Sequence, residues 1–570
     1  MSDTSTLVAL PARRFARWIP SLEWLRVYDK NWLRGDLPAG LTAASVVVPQ
    51  AMAYAAIAGL PLVVGLYTGL VPLVVYAVMG TSRPLSVTTT STIAILTGDA
   101  LHEAAFSGGN KDLLTATVTL AFLVGLTLLV SSVLRLGALA SLISDPVLIG
   151  FKAGVGLTIV IAQIPKLLGV HFPSGSFFHN LASIFSHIPQ ASAPTIILGV
   201  AMLAILIGLE QFVPRVPASL VTVAVGIIVS VALGLEHHGI ELVGNVKGGL
   251  PSITLSNPSM FRSLWPAALG IALISFVETI AAGQALRAAN EPLPDPNKEL
   301  CAIALCNLVG SLFQNMPSGG GTSQTAVNRT AGARTQVAGL VTSGVVAAVL
   351  LFLAPVVRLM PQATLAAVVI VPCAMMIRLQ AFAAVYRFRM MEFSWAIASF
   401  IGVVLLGTLR GIIVAVLLSL LALIYHSNRW PVVVLARKPG TDVFRPVSQK
   451  HPEDESFPGL LMLRTEGMVH FANVRRIFDQ IWTFVNQYKP RILLFDCSAI
   501  SDFEYSALQI LIEADKKLQQ AGITLWLAAL NPEPLEMIKE SDLGKALGPT
   551  RLFFNLEYAV EAFKAQSPQR

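Results

Sequence analysis

A succession of apolar runs between residues 38 and 426 limits most sharply what this chain can become. Among them are LTAASVVVPQAMAYAAIAGL, LLTATVTLAFLVGLTLLVSSVL, PTIILGVAMLAILIGLEQFV, SLVTVAVGIIVSVALGL and GIIVAVLLSLLALIYH. Each is close to the ~20 residues a helix needs to cross the hydrocarbon core. Backbone amides in that core must be bonded within their own segment, so the expected fold is a bundle of membrane helices. A mean hydropathy of +0.68 agrees. Charged residues are 13% of the chain, against roughly 25% in ordinary soluble domains.

The charge is uneven: 31 of the 73 Asp, Glu, Lys and Arg residues fall in positions 441–570, which predicts a soluble C-terminal domain. The net charge of +7 needs no nucleic acid to explain it, because Lys and Arg accumulate on the cytoplasmic side of membrane proteins. No apolar stretch precedes a small-residue cleavage site at the start, so no removed signal peptide is expected. Cys301, Cys306, Cys373 and Cys497 lack metal-ligand spacing and read as reduced, buried thiols. His237 and His238 read as solvated loop residues, and no metal or cofactor is expected. No Walker loop, nucleophile elbow or zinc motif supports ATP-driven transport or an enzyme.

Two segments are too polar to cross: PLSVTTTSTIAILTG at 84–98 and MPSGGGTSQTAVNRTAGARTQ at 316–336. Counted as partial spans they bring the total to about fourteen, with both termini on one side. Ten basic residues in the inner loops against six in the outer ones, plus Arg13, Arg14, Arg17, Arg26, Lys30 and Arg34 near the start, put that side in the cytoplasm. The polar segments begin about 45 and about 55 residues after spans starting near Leu41 and Ala267, and matched interruptions point to an inverted-repeat transporter with its site at the midplane.

A helix that starts inside the membrane must turn its free N–H groups toward protein or water. Such an end carries partial positive charge and holds an anion without a buried formal cation. Thr88, Thr89, Thr90 and Ser91 in one segment, and Gly321, Thr322, Ser323 and Thr325 in the other, suit that role, with Gly319 and Gly320 allowing close backbone approach. The alternative is that these small residues only let helices pack. Glu278, in ALISFVETIAAG, is an acid inside an apolar run, and such a residue is functional by default. It suits a proton carrier, a Na⁺ ligand among hydroxyls and carbonyls, or a structural carboxylic acid.

The stretches GDLPAGLTAASVVVPQAMAYAAIAGLPLVVGLYTG, GTSRPLSV, SDPVLIGFKAGVG, FVETIAAGQAL, DPNKEL and TAVNRTAGARTQVAG resemble the sulfate permease (SulP) family over nearly the whole chain. The resemblance implies a seven-plus-seven inverted repeat with an anion held between the third and tenth helices. It places Gln50 and Tyr54 on the first helix beside the site, Thr90 where some members carry an aromatic residue, and Ser323 beside the anion. Gln324 departs from the pattern, since many members have Ser-Arg where this chain has Ser-Gln. The resemblance also points to Glu278 as the proton-coupling carboxylate. Arg329 lies on another helical face and is a doubtful replacement for the missing arginine.

Past HSNRWPVVVLARKPGTD the chain alternates strand-like runs (GLLMLRTEG, RILLFDCS, ITLWLAAL) with amphipathic helices, an α/β pattern. HFANVRRIF and LLFDCSAISDFEYSALQIL resemble the STAS domain that ends SulP transporters. Ser506 falls on the serine phosphorylated in related antagonists, although a helix-start serine more often serves as a cap. The expected layout is a cytoplasmic segment 1–37, a transport domain 38–427, a linker 428–455 and a STAS domain 456–566. The expected protein is a secondary transporter of a small oxyanion, sulfate first, driven by proton symport in a bacterial inner membrane as a homodimer. Na⁺-coupled bicarbonate or dicarboxylate uptake, anion exchange, and an anion-sensing receptor signalling to a cytoplasmic partner are the alternatives.

Overall fold

The computed structural model describes residues 28–108, 113–141, 144–172, 175–213, 216–244, 248–287, 291, 293–428 and 430–566. Arg13, Arg14, Arg17 and Arg26 of the charge comparison, and the loop residues Lys111, Arg215 and Lys247 counted in it, therefore lie outside the described residues. The chain separates into two compact units, Met1–Leu420 and Leu421–Arg570.

The first unit repeats one order of elements. It opens with α1 (Leu33–Ile57), α2 (Leu62–Met79), β1 (Val87–Thr88), α3 (Ser91–Gly108), α4 (Leu113–Val133), α5 (Asp145–Leu168), a short α6 (Phe177–His187), α7 (Ala193–Phe212) and α8 (Ala218–Leu233). The second series is α9 (Phe261–Ala285), α10 (Pro296–Leu312), β2 (Gly319–Gly320), α11 (Thr322–Thr330), α12 (Val337–Ala348), α13 (Gln362–Met375), a short α14 (Leu379–Phe388), α15 (Met390–Leu406) and α16 (Thr408–Ser427). With the short α6 and α14 and the one-turn helix Ala354–Val357 set aside, each half holds seven of the described helices.

Among the described residues seven helices are long and apolar enough to cross a membrane by themselves. Others are shorter than their apolar runs suggest, because a glycine ends them: α8 stops at Gly234 (φ 57°) and α15 at Gly407 (φ 86°). Left-handed backbone of this kind is open to glycine at little cost.

Packing sorts the helices into two groups. In one, α1, α2, α4, α9, α10 and α12 pack together; in the other, α5 packs on α13 and α15, and α7 on α13. Small residues make the close approaches: a Cβ on Gly65 would lie 1.9 Å from the Ala51 carbonyl oxygen, and one on Gly150 equally close to that of Ala396. Glu278 has buried acidic company. Glu299 accepts from the Tyr76 hydroxyl at 2.9 Å, from Ser82 N–H and from Thr81, while Asp36 accepts from Arg334 N–H, Thr335 N–H and the Thr335 hydroxyl. Several donors per carboxylate satisfy both groups at helix ends.

The second unit is a six-stranded sheet ordered β10-β9-β7-β5-β3-β4, built from β3 (Val433–Arg437), β4 (Phe444–Pro446), β5 (Leu460–Arg464), β7 (Ile492–Asp496), β9 (Thr524–Ala528) and β10 (Leu552–Phe553), beside a small β6 (Gly467–Val469) and β8 (Ile500–Phe503) pair. Side chains alternate across it. Leu461, Leu463, Leu493 and Phe495 face α17 (Val474–Tyr488) and α18 (Tyr505–Gln520), while Leu460, Met462, Ile492 and Leu494 face α21 (Leu556–Gln566). Two further helices, α19 (Pro532–Glu540) and α20 (Asp542–Leu547), precede β10.

The segment 428–455, expected to be a linker, supplies β3 and β4. Val433 pairs with Arg464 in β5, and Leu435 is buried in the sheet's core. β4 has three residues at the sheet edge, too short to show alternation, while β3 lies between β4 and β5.

Candidate functional site

The two polar interruptions meet. β1 pairs antiparallel with β2, Val87 opposite Gly320 and Thr88 opposite Gly319, so α3 and α11 start from opposite ends of one two-stranded ribbon. Gly321 N–H donates to Ser86 O at 3.1 Å, and Ser86 N–H donates to the Thr325 hydroxyl at 3.0 Å. From the α9 side, Thr279 Oγ1 accepts from Gly320 N–H at 2.8 Å and Ser275 Oγ donates to Ser318 O at 2.7 Å. The glycines serve this docking: a Cβ on Gly319 would lie 2.7 Å from Ser275 Oγ, and one on Gly320 2.9 Å from Thr279 Cα. The expected close approach is therefore to α9.

The expected binding residues fall into two roles. Thr88 is a strand residue whose hydroxyl donates to Thr89 O, within the ribbon. Thr89 is buried and its hydroxyl has no partner among the described residues. Thr90 caps α3, accepting from Ile93 N–H at 3.3 Å. Ser91 opens α3, donating to Met376 Sδ, with the Tyr54 phenol in reach. Gly321 is the N-cap of α11 and no side chain caps that helix. The first turn, Thr322, Ser323 and Gln324, thus presents backbone N–H groups without intrahelical partners. Thr322 and Ser323 are exposed.

Gln324 Nε2 donates to Gln50 Oε1 at 3.0 Å, which joins the mouth of α11 to α1, one turn before Tyr54. Arg329 is turned away and pairs with Glu291 at 3.1 Å, so it does not replace the arginine missing at Gln324.

Glu278 joins the cluster from α9. Its carboxylate is buried, accepts from Thr90 Oγ1 at 2.8 Å and from Thr92 Oγ1 at 3.0 Å, and faces Lys152 Nζ of α5 at 3.6 Å. Sequence reasoning missed Lys152. It is the one basic residue in IGFKAGVGLTIVIAQI, and an intramembrane cation marks a functional position as an acid does. The contacts form two groups, Gln324 with Gln50, and Thr90, Thr92 and Lys152 around Glu278. A separate cavity of about 580 Å³, lined by Lys166, Tyr67, Gln314 and Gln362, holds none of the expected binding residues.

In the second unit Ser506 is not the cap it resembles. Glu504 takes the N-cap position, with Tyr505 the first helical residue, and Ser506 stands exposed in the first turn of α18.

Two broken helices that start face to face inside an inverted repeat, with polar groups and a buried carboxylate between them, are the architecture of a multi-pass membrane transporter for an anion. A model of the sulfate permease family matches residues 33–399, and a STAS domain model matches residues 451–559. The chain belongs to the sulfate permease family, a family of transporters rather than enzymes. A probable sulfate transporter of Mycobacterium tuberculosis is 32% identical, covering 97% of this chain and all of that one. High affinity sulfate transporter 2 of Stylosanthes hamata is 29% identical over 95% of this chain and 86% of its own length. The murine solute carrier 26 family member A9 anion transporter, in its inward-facing state, superposes with a TM-score of 0.89 at 22% identity, covering 99% of this chain and 97% of that one. The transmembrane domain of the cyanobacterial bicarbonate transporter BicA gives 0.59 at 23% identity, over 68% and 98%. These likenesses fix the fold: a seven-plus-seven membrane repeat followed by a STAS domain.

Proposed function

We propose that the protein imports sulfate by proton symport, binding the anion between the N-termini of α3 and α11 and carrying the proton on Glu278. The observation that carries the reading is the contact of Thr90, the cap of α3, with the Glu278 carboxylate. One residue thereby senses both the anion position and the protonation of the acid.

Free N–H groups of Thr322, Ser323 and Gln324, and the hydroxyls of Thr89, Ser91, Thr322 and Ser323, are the donors for the oxyanion. Gln50 and Tyr54 line the approach from α1. A proton is preferred to Na⁺ because the Lys152 ammonium already stands where a second cation would be needed, 3.6 Å from the carboxylate. The 29–32% identical relatives described as sulfate transporters favour sulfate among oxyanions. The proposal places both termini, and the STAS domain, in the cytoplasm of a bacterial inner-membrane homodimer, with exposed Ser506 open to phosphorylation and to a cytoplasmic partner.

The test is uptake by reconstituted proteoliposomes of labelled sulfate, bicarbonate and a dicarboxylate, with H⁺ and Na⁺ gradients imposed separately. Sulfate uptake accelerated by an inward proton gradient and indifferent to Na⁺ is expected. Uptake that follows Na⁺, or specific sulfate binding with no flux, overturns the proposal.

A further inference from the structure

The cluster contains one formal cation whose role neither the family pattern nor the sequence assigns. An oxyanion such as sulfate carries two negative charges. Each helix mouth supplies about half a positive charge. Gln324 stands where many relatives have arginine, and its amide is held by Gln50 at 3.0 Å. Arg329, on the same helix, is paired with Glu291. Among the described residues the cation that faces the cluster is Lys152, with its side chain 30% exposed and its Nζ 3.6 Å from Glu278 Oε1.

We propose that Lys152 is the anion-binding cation of this site: ionised Glu278 holds it in an ion pair, and protonation of Glu278 releases it to a divalent oxyanion. The inference rests on the reading of Glu278 as the proton carrier and gives that proton its purpose. With Glu278 ionised, the acid and Lys152 cancel, and the two helix mouths leave about one positive charge, enough for a monovalent anion. With Glu278 protonated, Lys152 adds its charge and the site offers about two, which matches sulfate. One proton therefore accompanies one divalent anion, and the same device selects against monovalent ones.

The surroundings of Glu278 leave the exchange to these groups. The Tyr54 phenol of α1 is within electrostatic reach of Glu278 and of the Cys373 thiol of α13. α3 presents the Thr90 and Thr92 hydroxyls, and α4 has no charged residue. The acid of α10, Glu299, is bonded to Tyr76 and Thr81, and the cation of α11, Arg329, to Glu291. Lys152 also belongs to the other helix group, since α5 packs on α13 and α15 while α9 packs on α3 and α4. Release of the pair thus removes a tie between the groups at the moment the anion arrives.

The test is sulfate and bicarbonate transport by the full chain in proteoliposomes, as KM and kcat against pH, for four proteins. Wild type is expected to show a sulfate KM that rises with pH. Lys152→Gln should raise the sulfate KM about tenfold or more at low pH, with a smaller change for bicarbonate. Lys152→Arg should keep sulfate affinity. Adding Gln324→Arg to Lys152→Gln should recover it by returning a cation from a different helix, which repair of a merely structural role would not do.

A monodisperse Lys152→Gln protein with the wild-type sulfate KM and pH profile overturns the proposal. If that variant does not fold, the neutral pair Lys152→Gln/Glu278→Gln decides: weak, pH-independent sulfate binding is expected, and wild-type affinity overturns it. Wild-type sulfate transport that ignores pH defeats the proton-symport reading itself, whatever Lys152 does.

Discussion

Replacing Glu278 by glutamine keeps the side chain's size and removes its charge. In the native chain two hydroxyl donors, Thr90 at 2.8 Å and Thr92 at 3.0 Å, converge on the carboxylate, and Lys152 faces it at 3.6 Å. The amide offers an acceptor to one hydroxyl and a donor to the other, so one hydroxyl must turn, at a cost of about 1 kcal/mol. Unit charges at that separation attract by about 4–5 kcal/mol in an effective dielectric near 20. Desolvation offsets most of this, and the Lys152 side chain is 30% exposed, so the net loss of stability is about 1–2 kcal/mol. The variant should fold.

Its transport should change far more than its stability. Sulfate uptake below KM is measured with external pH stepped between about 5.5 and 8, and again with an imposed gradient; a one-proton coupling gives at most about tenfold per pH unit. Wild type is expected to approach that slope and Glu278→Gln to be flat, transporting only down the sulfate gradient. A folded Glu278→Gln protein that still accelerates under an inward proton gradient, with the wild-type slope, refutes the assignment.

Three further expectations follow from the packing and the second unit. Gly65→Ala sets a methyl group against the Ala51 carbonyl and should abolish monodisperse protein in size-exclusion chromatography, whereas Gly344→Ala, with nothing within 4 Å, should be neutral or stabilising by up to about 1 kcal/mol; equal yields from both would contradict the α1–α2 contact. Arg445 grips Asp454 with two bonds of 2.8 Å and holds its carboxyl below the ordinary range. That stabilisation is complete above the unfolded value of about 4 and disappears as pH falls through the lower folded one. Arg445→Gln should therefore weaken the protein at neutral pH and narrow its difference from wild type in acid, as read by thermal unfolding; an unchanged gap at low pH sinks the argument. Ser506→Ala should shift stability by less than about 0.5 kcal/mol, since Glu504 and not Ser506 holds the N-cap position; a loss of about 1 kcal/mol, the ordinary cost of removing a serine cap, would restore that role to Ser506.

How much of this was legible depended on whether a feature is local in the chain. The polar breaks at 84–98 and 316–336 stand out because a membrane helix tolerates few such residues, and the strands LLMLR, ILLFD and TLWLA stand out because a covered sheet makes them continuously apolar. α6 and α14 were not legible: at 11 and 10 residues they are too short to register beside spans. β3 and β4 passed for a linker; at three residues β4 shows no usable period.

The sequence by itself determined that the chain is a membrane bundle with a soluble α/β end, that it breaks two helices at matched places, and that Glu278 is an acid inside an apolar run. These follow from composition along the chain, where the hydrocarbon layer and the cost of an isolated charge act residue by residue. Only the tertiary structure decided what those features meet. Thr88 finds Gly319 across the ribbon, Gln324 binds Gln50, and Lys152 reaches Glu278 from the other helix group. Pairings between distant segments are set by how helices pack, through contacts such as Gly65 against Ala51 and Gly150 against Ala396. No local pattern encodes which cation will stand beside a given acid.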